Sequence, residues 1–389
     1  MLGIVFTIFL IFLIASPSLC AGEDKTFNVV AYGAVGDGKT EDTKAFVKAW
    51  EDMCNATEGT PHMRIPKGKI FLLQPVQFSG PCKSNKVLVE VGGIIVAPTN
   101  IQAWNDEKEK WISFADIDGL TINGGGQIDG QGSVWWNACT DKALHFHNCN
   151  GLQLSKLRHL NSPKNHISIS SSNRVYISNL HIIAPEKSPN TDGIDISRSS
   201  NVSVLNTVME TGDDCIAING GSSYIKISGI ACGPGHGISI GSLGKNGAYE
   251  TVEEIQVSNC SFTGTQNAAR IKTWQGGSGY ARKIIFERIR LINSEHPIII
   301  DQNYDPNSLK PGSKSAVKMS DVTFRDVRGT SADEIAIDLV CSDSVGCTNI
   351  VLENIDIRST IPGKRTYSRC NNAHGTAKET NPIVPCLSQ

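Results

Sequence analysis

Short runs of the form apolar-x-apolar-x-x-apolar recur along most of the chain, and this repeat limits the possible folds more than any other feature. Alternation with a period of two is typical of β-strands, and its recurrence every 23 to 38 residues is typical of a solenoid. The segments between the runs lack the apolar i, i+3, i+4 spacing of helices, which disfavours helical repeats. The runs are Leu120-Ile122, Leu152-Leu154-Leu157, Val175-Ile177-Leu180, Val202-Val204, Ile225-Ile227-Ile230, Ile255-Val257-Cys260, Ile284-Phe286-Ile289, Val322-Phe324-Val327 and Ile350-Leu352-Ile355.

A second short apolar strand follows several of these runs, as in Ile194-Ile196, Ile216-Ile218 and Ile238-Ile240. With two or three short strands in each turn, successive coils would stack at about the 4.8 Å spacing of neighbouring strands. The sequence therefore predicts an all-β fold, a right-handed parallel β-helix of about ten coils. A β-sandwich would need hairpin turns in place of this long-period repetition.

The two ends of the chain depart from the repeat. Thr40 to Thr43 lead into an amphipathic segment, Lys44 to Trp50, and we expect a capped helix there that closes the open end of the coil. The last ~30 residues, which contain Cys370 and Cys386, lose the repeat, so we expect them to form a tail tied by a disulfide.

The N-terminus and the charge balance restrict location and partners. An uncharged apolar run from Leu2 to Ile14, followed by Ser16-Pro17 and a small-residue site near Cys20, is typical of a secretory signal peptide. We expect residues 1–20 to be removed, leaving residues 21–389 as a single β-helix domain outside the cell. The run is shorter than the ~20 residues that span a bilayer. With 36 basic against 38 acidic residues, we expect neither a nucleic-acid nor a membrane partner.

Secretion also changes the interpretation of the 12 cysteines and of three sequons. Without Cys20, eleven cysteines would lie in an oxidising compartment where disulfides persist, and an odd number leaves one thiol over. The tripeptides beginning at Asn55, Asn201 and Asn259 are candidate glycosylation sites in the same compartment.

Charged residues gather on one face of the predicted solenoid. Three of them stand two residues ahead of an isoleucine on successive coils, 22 residues apart: Asp192, Asp214 and His236. Asp213 lies beside Asp214, and Arg270 and Lys272 flank Ile271 one coil beyond His236. Polar ladders in β-helices often bond only to turn backbones. Stacked carboxylates, however, cost free energy unless a proton is shared or cations lie close, and a raised pKa suits a general acid. We therefore favour a catalytic role.

At these residues the sequence resembles the plant polygalacturonases of glycoside hydrolase family 28, which are pectin-cleaving enzymes. The resemblance covers the chain from about Phe27 to the C-terminus, and its first motif is Tyr32-Gly33-Ala34-Val35-Gly36-Asp37-Gly38. The four motifs that carry it, in order, are Ser188-Pro189-Asn190-Thr191-Asp192-Gly193, Thr211-Gly212-Asp213-Asp214-Cys215, the segment from Cys232 to Ser242 around His236, and Ala269-Arg270-Ile271-Lys272-Thr273-Trp274.

The resemblance implies a secreted enzyme of the plant cell wall that hydrolyses α-1,4 bonds of polygalacturonate with inversion, as a monomer without a metal or cofactor. It implies that Asp213 protonates the leaving oxygen, that Asp192 and Asp214 activate water, and that His236 maintains the protonation of the acid. The implied substrate-binding residues are Asn190, Arg270, Lys272 and Tyr304. Many plant relatives carry a Cys directly after this tyrosine, whereas Asp305 follows Tyr304 here.

Spacing and resemblance give different stereochemical expectations. Neighbouring coils would place Asp192 and Asp213 about 4.8 Å apart, closer than the roughly 6.5 to 9.5 Å of an inverting pair. Distance alone therefore favours retention, whereas the resemblance favours inversion. Side-chain direction could widen the gap, so we follow the resemblance.

The family pattern, together with proximity in sequence, implies four disulfides, which are Cys54–Cys82, Cys215–Cys232, Cys341–Cys347 and Cys370–Cys386. Cys139 and Cys149 would either pair or stay free. Cys260 occupies the third apolar place of its repeat, so we expect a buried, unpaired thiol there.

Two other functions remain open at this stage. A calcium-dependent pectate lyase would share the fold and the polyanionic substrate, and Asp213-Asp214 could belong to an acidic calcium cluster. A solenoid that binds pectin without cleaving it is the second alternative. The sequence leaves internal and chain-end cleavage undistinguished.

Overall fold

The computed structural model describes residues 25–100, 104, 110–136, 142–304 and 316–388. The predicted signal peptide, Cys139 and Asp305 lie outside these residues. Within them, every paired strand is parallel to its neighbour, and the strands form an 11-stranded and a 21-stranded sheet. The predicted parallel β-helix is therefore confirmed.

The 11-stranded sheet, called the front sheet below, carries one strand from each coil. The front-sheet strands are Val76–Ser79, Lys110–Ala115, Lys142–His147, Ile167–Ser170, Ile194–Ser197, Ile216–Ile218, Ile238–Leu243, Asn267–Thr273, His296–Asp301, Ile335–Val340 and Tyr367–Asn371. Buried isoleucines stand level on successive coils, as Ile194, Ile216 and Ile238 do. These ladders fill the inside of the coil and fix the register of the opposite, outward face.

The other sheet begins as two columns of short strands. One column contains Thr26–Asn28, His62–Ile65, Val87–Val91, Leu120–Asn123, Gln153–Ser155, Asn173–Ser178, Ser200–Leu205 and Ser222–Ser228. The other contains Asp37–Glu41, Ile70–Leu72, Ile94–Val96, Gln127–Asp129, Arg158–Leu160, His181–Ile183, Val208–Glu210 and Ala231–Cys232. Both columns then merge into the long strands Tyr249–Thr263, Ser278–Ser294, Lys318–Ser331, Cys347–Ser359 and Ala373–Asn381.

The long strands turn a corner without leaving the sheet, which explains the two-residue gap in the sequence repeat. Asn259, Arg288, Asp326 and Asn354 stand level at the corner, each with a φ between 53° and 56°. This left-handed conformation reverses the alternation of side chains, so that the next residue, such as Cys260, points inward again. Asn and Asp tolerate this conformation better than most residues.

A helix closes the N-terminal end, as expected, although its cap differs from the prediction. The helix spans Thr43–Cys54 and buries Phe46 and Trp50 against the core. Asp42 makes no side-chain capping bond; its carboxylate instead accepts hydrogen bonds from the Val35 and Gly36 amides at 2.7 and 3.1 Å. Short 3₁₀ helices occupy Val29–Tyr32, Gly132–Val134 and Lys245–Gly247. No helix in the described part of the chain is long and apolar enough to span a bilayer.

The C-terminal residues are tied by the Cys370–Cys386 disulfide, but the expectation that they leave the repeat as a tail is wrong. Tyr367–Asn371 extends the front sheet and Ala373–Asn381 extends the other, so these residues add a further coil. The sequence pattern missed this coil because its inward places hold small residues: Gly375 pairs with Ile350, and Ala377 with Leu352. One apolar core runs from Phe27 through this last coil to Leu387.

The structure joins the four cysteine pairs that the resemblance implies: Cys54–Cys82, Cys215–Cys232, Cys341–Cys347 and Cys370–Cys386. Cys149 and Cys260 are buried free thiols. Burial, the largest effect, raises the pKa of each thiol to about 11, which makes both poor nucleophiles.

Candidate active site

The register of the front sheet brings the predicted charged residues together. Ile194, Ile216 and Ile238 are level, so Asp192, Asp214 and His236, each two residues earlier, lie on three consecutive coils. The next strand places Arg270 level with Ser239 on the outward face. The front sheet therefore collects carboxylates, an imidazole and two cations at its centre.

Asp214 is the most enclosed of the carboxylates, with 1% of its side chain exposed. Its Oδ1 accepts hydrogen bonds from the Ser239 hydroxyl at 2.8 Å and the Arg270 guanidinium at 2.6 Å. Its Oδ2 accepts one from the Lys272 ammonium at 2.8 Å. Each carboxylate oxygen has two acceptor positions, so Oδ2 can accept one hydrogen bond beyond that from Lys272.

Arg270 and Lys272, which the resemblance assigns to substrate, are themselves buried and bonded to Asp214. Their first effect in the free protein is to neutralise that carboxylate. Each still has N–H groups that a substrate carboxylate could engage, because an ammonium has three donors and a guanidinium five.

Asp213 is more exposed and is held by His236. The Nδ1 atom of His236 lies 2.9 Å from Asp213 Oδ1, and the Asp214 amide donates to the same oxygen at 2.8 Å. Burial, the largest single effect, acts to raise the pKa of Asp213. The hydrogen bond and charge of His236, the amide and Lys272 together outweigh burial, so the pKa lies below its usual range.

A tight backbone contact fixes this pair. Gly235, directly before His236, has a φ of 149°, and a side chain there would meet the Asp213 carbonyl oxygen at 2.9 Å. The Cys215–Cys232 disulfide joins the same two coils, and the His236 amide donates to the Asp213 carbonyl at 2.8 Å. Glycine at this position and the disulfide therefore hold the imidazole against the carboxylate.

Asp192 has the opposite electrostatic character. Burial raises its pKa well above the ordinary value, and Asp195, Asp213 and Asp214 add to the effect, with Lys272 opposing them. The preceding turn is fixed by Ser188 and Thr191, whose hydroxyls lie 2.7 Å apart, and Thr191 also accepts from the Gly212 amide at 3.0 Å. Asp192 therefore holds a proton more readily than Asp213 does in the free protein.

This is the reverse of what the sequence predicts, since a raised pKa was expected for the acid, Asp213. The reason is that the cations are unevenly distributed. His236 contacts Asp213, whereas Arg270 and Lys272 bond to Asp214. Asp192 has burial and three acidic neighbours, and Lys272 alone opposes them among the main effects.

Tyr304 and Asn190, the remaining predicted substrate residues, lie in different surroundings. The Tyr304 ring is 5.1 Å from the Lys272 ammonium and packs edge-on against Trp274, with ring centres 5.5 Å apart. Asn190 is exposed in the turn before Asp192 and has a φ of 55°. Tyr304 thus belongs to the cationic side of the site, whereas Asn190 lies on the side of Asp192.

Two functional neighbours were missed by the sequence reasoning. Ser239 connects Asp214 to Arg270, accepting from the Arg270 Nε at 2.8 Å. Asp195 raises the pKa of Asp192. Both could have been found by extending the coil alignment by one outward position, because Asp195, Ala217, Ser239 and Arg270 stand level.

A cation could in principle be bound by Asp213, Asp214 and His236, whose ligand atoms lie within 4.8 Å of one another. Two of these groups already bond to each other, and Asp214 already bonds to two cationic side chains. A metal ion would have to compete with Arg270 and Lys272 at close range. The donor set therefore suits proton chemistry better than metal binding.

A parallel β-helix whose face carries paired carboxylates and adjacent cations has the features of an enzyme that acts on an acidic polysaccharide. The sequence profile of the glycosyl hydrolases family 28 matches residues 54–381, and the chain belongs to that family.

Individual relatives agree with this assignment. A probable polygalacturonase of Arabidopsis thaliana is 52% identical over 367 residues, which cover 92% of this chain and 80% of that protein. A polygalacturonase of Prunus persica is 40% identical over 400 residues, 99% and 98% of the two chains. Among solved structures, the endo-xylogalacturonan hydrolase from Aspergillus tubingensis superimposes with a TM-score of 0.79 over 90% of this chain and 96% of that one. At 24% identity, that likeness supports the fold alone.

Proposed function

We propose that the front-sheet site cleaves α-1,4 bonds of polygalacturonate by acid and base catalysis with inversion. The chain is a polygalacturonase, a hydrolase of pectin, as its curated plant relatives are. The observation that carries the mechanism is the set of three carboxylates on two consecutive coils, with two buried cations bonded to one of them.

In the proposed reaction Asp213 donates a proton to the glycosidic oxygen while the bond from that oxygen to the anomeric carbon breaks. A water molecule attacks the anomeric carbon from the opposite face and gives its proton to Asp192. Asp214 orients the water through the free acceptor position on Oδ2. Arg270 and Lys272 stabilise Asp214 and offer their remaining donors to a substrate carboxylate, with Tyr304 beside Lys272 and Asn190 on the other side of the site.

This sequence of proton transfers accounts for the pKa directions. After one turnover the proton lies on Asp192 and Asp213 is ionised, which agrees with the raised pKa of Asp192 and the lowered pKa of Asp213. The next turnover requires a proton to return to Asp213. We propose that His236, bonded to Asp213, assists this return.

A product assay tests the proposal directly. The protein is incubated with polygalacturonate; reducing ends, ultraviolet absorbance and the anomeric configuration of the first product are recorded. New reducing ends in the β configuration from an α-linked substrate support inverting hydrolysis. α-Configured products would contradict inversion, and unsaturated products that absorb in the ultraviolet would instead support a lyase. Binding without new ends would indicate a non-catalytic solenoid.

We also propose that residues 1–20 are a signal peptide and that residues 21–389 act as a single, monomeric extracellular domain of the cell wall. The four disulfides support an oxidising compartment. Asn55, Asn201 and Asn259 are exposed and so accessible to glycosylation. Mass spectrometry of the protein from a plant secretion medium, before and after glycosidase treatment, tests the mature N-terminus and each sequon.

A further inference from the structure

Lys245 differs from the cations that the active site already uses. Arg270 and Lys272 are both bonded to Asp214. Lys245 is exposed, and no carboxylate of the described residues lies within ion-pair distance of its ammonium. That ammonium instead lies 5.0 Å from the centre of the Trp274 ring. Among the described residues, its positive charge is therefore not paired with a carboxylate.

A chain of contacts connects Lys245 with the catalytic centre. Trp274 packs edge-on against Tyr304, and the Tyr304 ring lies 5.1 Å from the Lys272 ammonium. Lys272 in turn donates to Asp214 at 2.8 Å. Lys245 and Trp274 therefore border the cationic side of the site, beyond Tyr304.

The backbone around Lys245 is held in place from several sides. The Gly244 amide donates to Glu250 at 2.6 Å, and the Trp274 amide donates to the Leu243 carbonyl at 2.8 Å. Gly244 has a φ of 83°, and a side chain there would meet the Gly277 Cα at 2.7 Å. A binding group on a fixed turn loses less conformational entropy when it engages a ligand than one on a mobile loop.

We propose that Lys245 and Trp274 bind a galacturonate unit next to the one held at Lys272. The ammonium would pair with the carboxylate of that unit, and the indole would pack against the apolar face of the sugar ring. Because successive units of the substrate each carry a carboxylate, a second cation beyond Tyr304 would extend binding along the chain. This inference rests on the proposed function, since it assumes a galacturonate polymer in the cleft.

The test compares Lys245→Gln and Lys245→Arg with Lys226→Gln. Lys226 is an exposed lysine on a strand outside the front sheet, and it serves as the matched control. KM and kcat are measured on long polygalacturonate and on short oligogalacturonates, at low and at high salt. For Lys245→Gln we expect KM on the long substrate to rise about two- to fivefold at low salt, with a smaller change in kcat and a smaller effect at high salt. Lys245→Arg should retain wild-type KM.

The outcomes separate this inference from the proposed function. Absence of hydrolysis by the wild-type protein would overturn the proposed function itself. Hydrolysis by the wild type with the same KM for Lys245→Gln and Lys226→Gln would overturn only the role of Lys245. A lower melting temperature of Lys245→Gln with unchanged KM would show that the contact with Trp274 is structural and would likewise overturn the inference.

Discussion

The centre of the front sheet and the first part of the long strands both stack charged residues on successive coils, but they balance those charges differently. On the long strands acids and bases alternate between coils, as in Glu253–Arg282 at 2.7 Å and Glu254–Lys283 at 2.6 Å. At the front, three consecutive coils carry Asp192, Asp213, Asp214 and His236, and both buried cations bond to Asp214. The fold can therefore pair charges at this spacing, and the repulsion at the front is specific to that site.

The largest effect is expected where the front-sheet imbalance is used for chemistry. Asp213→Asn should lower kcat about 10²- to 10⁴-fold with the fold intact, because the amide keeps the shape but has no acidic proton. The measurement is kcat on polygalacturonate together with the melting temperature of the variant.

A second substrate separates the acid from the base. An aryl galacturonide with an acidic phenol as leaving group needs little protonation, so Asp213→Asn should recover much of its lost activity on it. Asp192→Asn should stay impaired on both substrates, because the water still needs a base. If Asp192→Asn recovered activity on the aryl galacturonide and Asp213→Asn did not, Asp192 would be the acid and Asp213 the base.

Removing one of the two cations that bond to Asp214 should also have a large effect. Lys272→Met leaves the buried Asp214 with one cation fewer, and breaking a buried pair in this way typically costs about 3–5 kcal/mol of unfolding free energy. Denaturant unfolding measures this loss. The double variant Lys272→Met, Asp214→Asn should recover part of the stability but not the activity. A Lys272→Met protein of wild-type stability with only a raised KM would show that Lys272 serves substrate alone.

A smaller effect, and one of opposite sign at the two acids, is expected in the pH dependence of stability. The folded pKa of Asp192 is raised, so the folded state loses stability as pH rises above the unfolded value of about 3.9. Asp192→Asn should therefore be more stable than the wild type at pH 7, by about 1–2 kcal/mol, and equal to it at low pH.

Asp213 should behave in the reverse way. Its folded pKa is lowered, so its stabilisation is present above about pH 3.9 and is lost as pH falls through the folded pKa. Asp213→Asn should be less stable than the wild type at pH 7. Melting temperatures of both variants from pH 3 to pH 7 check the signs, and two shifts of the same sign would contradict the uneven cation distribution.

The repeat made the fold predictable, because inward apolar residues and the corner residue recur in nearly every coil. It failed at the last coil, where Gly375 and Ala377 take the place of larger apolar residues. The residues of the site were also found from alignment and resemblance. The ion pairs between these residues were not predicted, because the direction of each side chain decides which carboxylate a cation bonds to. The alignment brings Arg270 near both Asp213 and Asp214, and only the side-chain positions show that Asp214 receives it.

The smallest effect is expected on the long strands, where Glu253 and Glu254 each face a base on the next coil. Glu253→Gln removes the partner of Arg282, but the pair is partly exposed to solvent, so the wild-type attraction is screened by water and salt. We expect a melting temperature lowered by no more than about 2 °C at low salt, a smaller difference at high salt, and unchanged kcat and KM. Lys226→Gln, which removes an exposed charge outside any ion pair of the described residues, is the control for a general effect of surface charge. A loss from Glu253→Gln as large as that from Lys272→Met would mean that charge balance stabilises the coil stack as a whole, and the contrast between the two regions would then disappear.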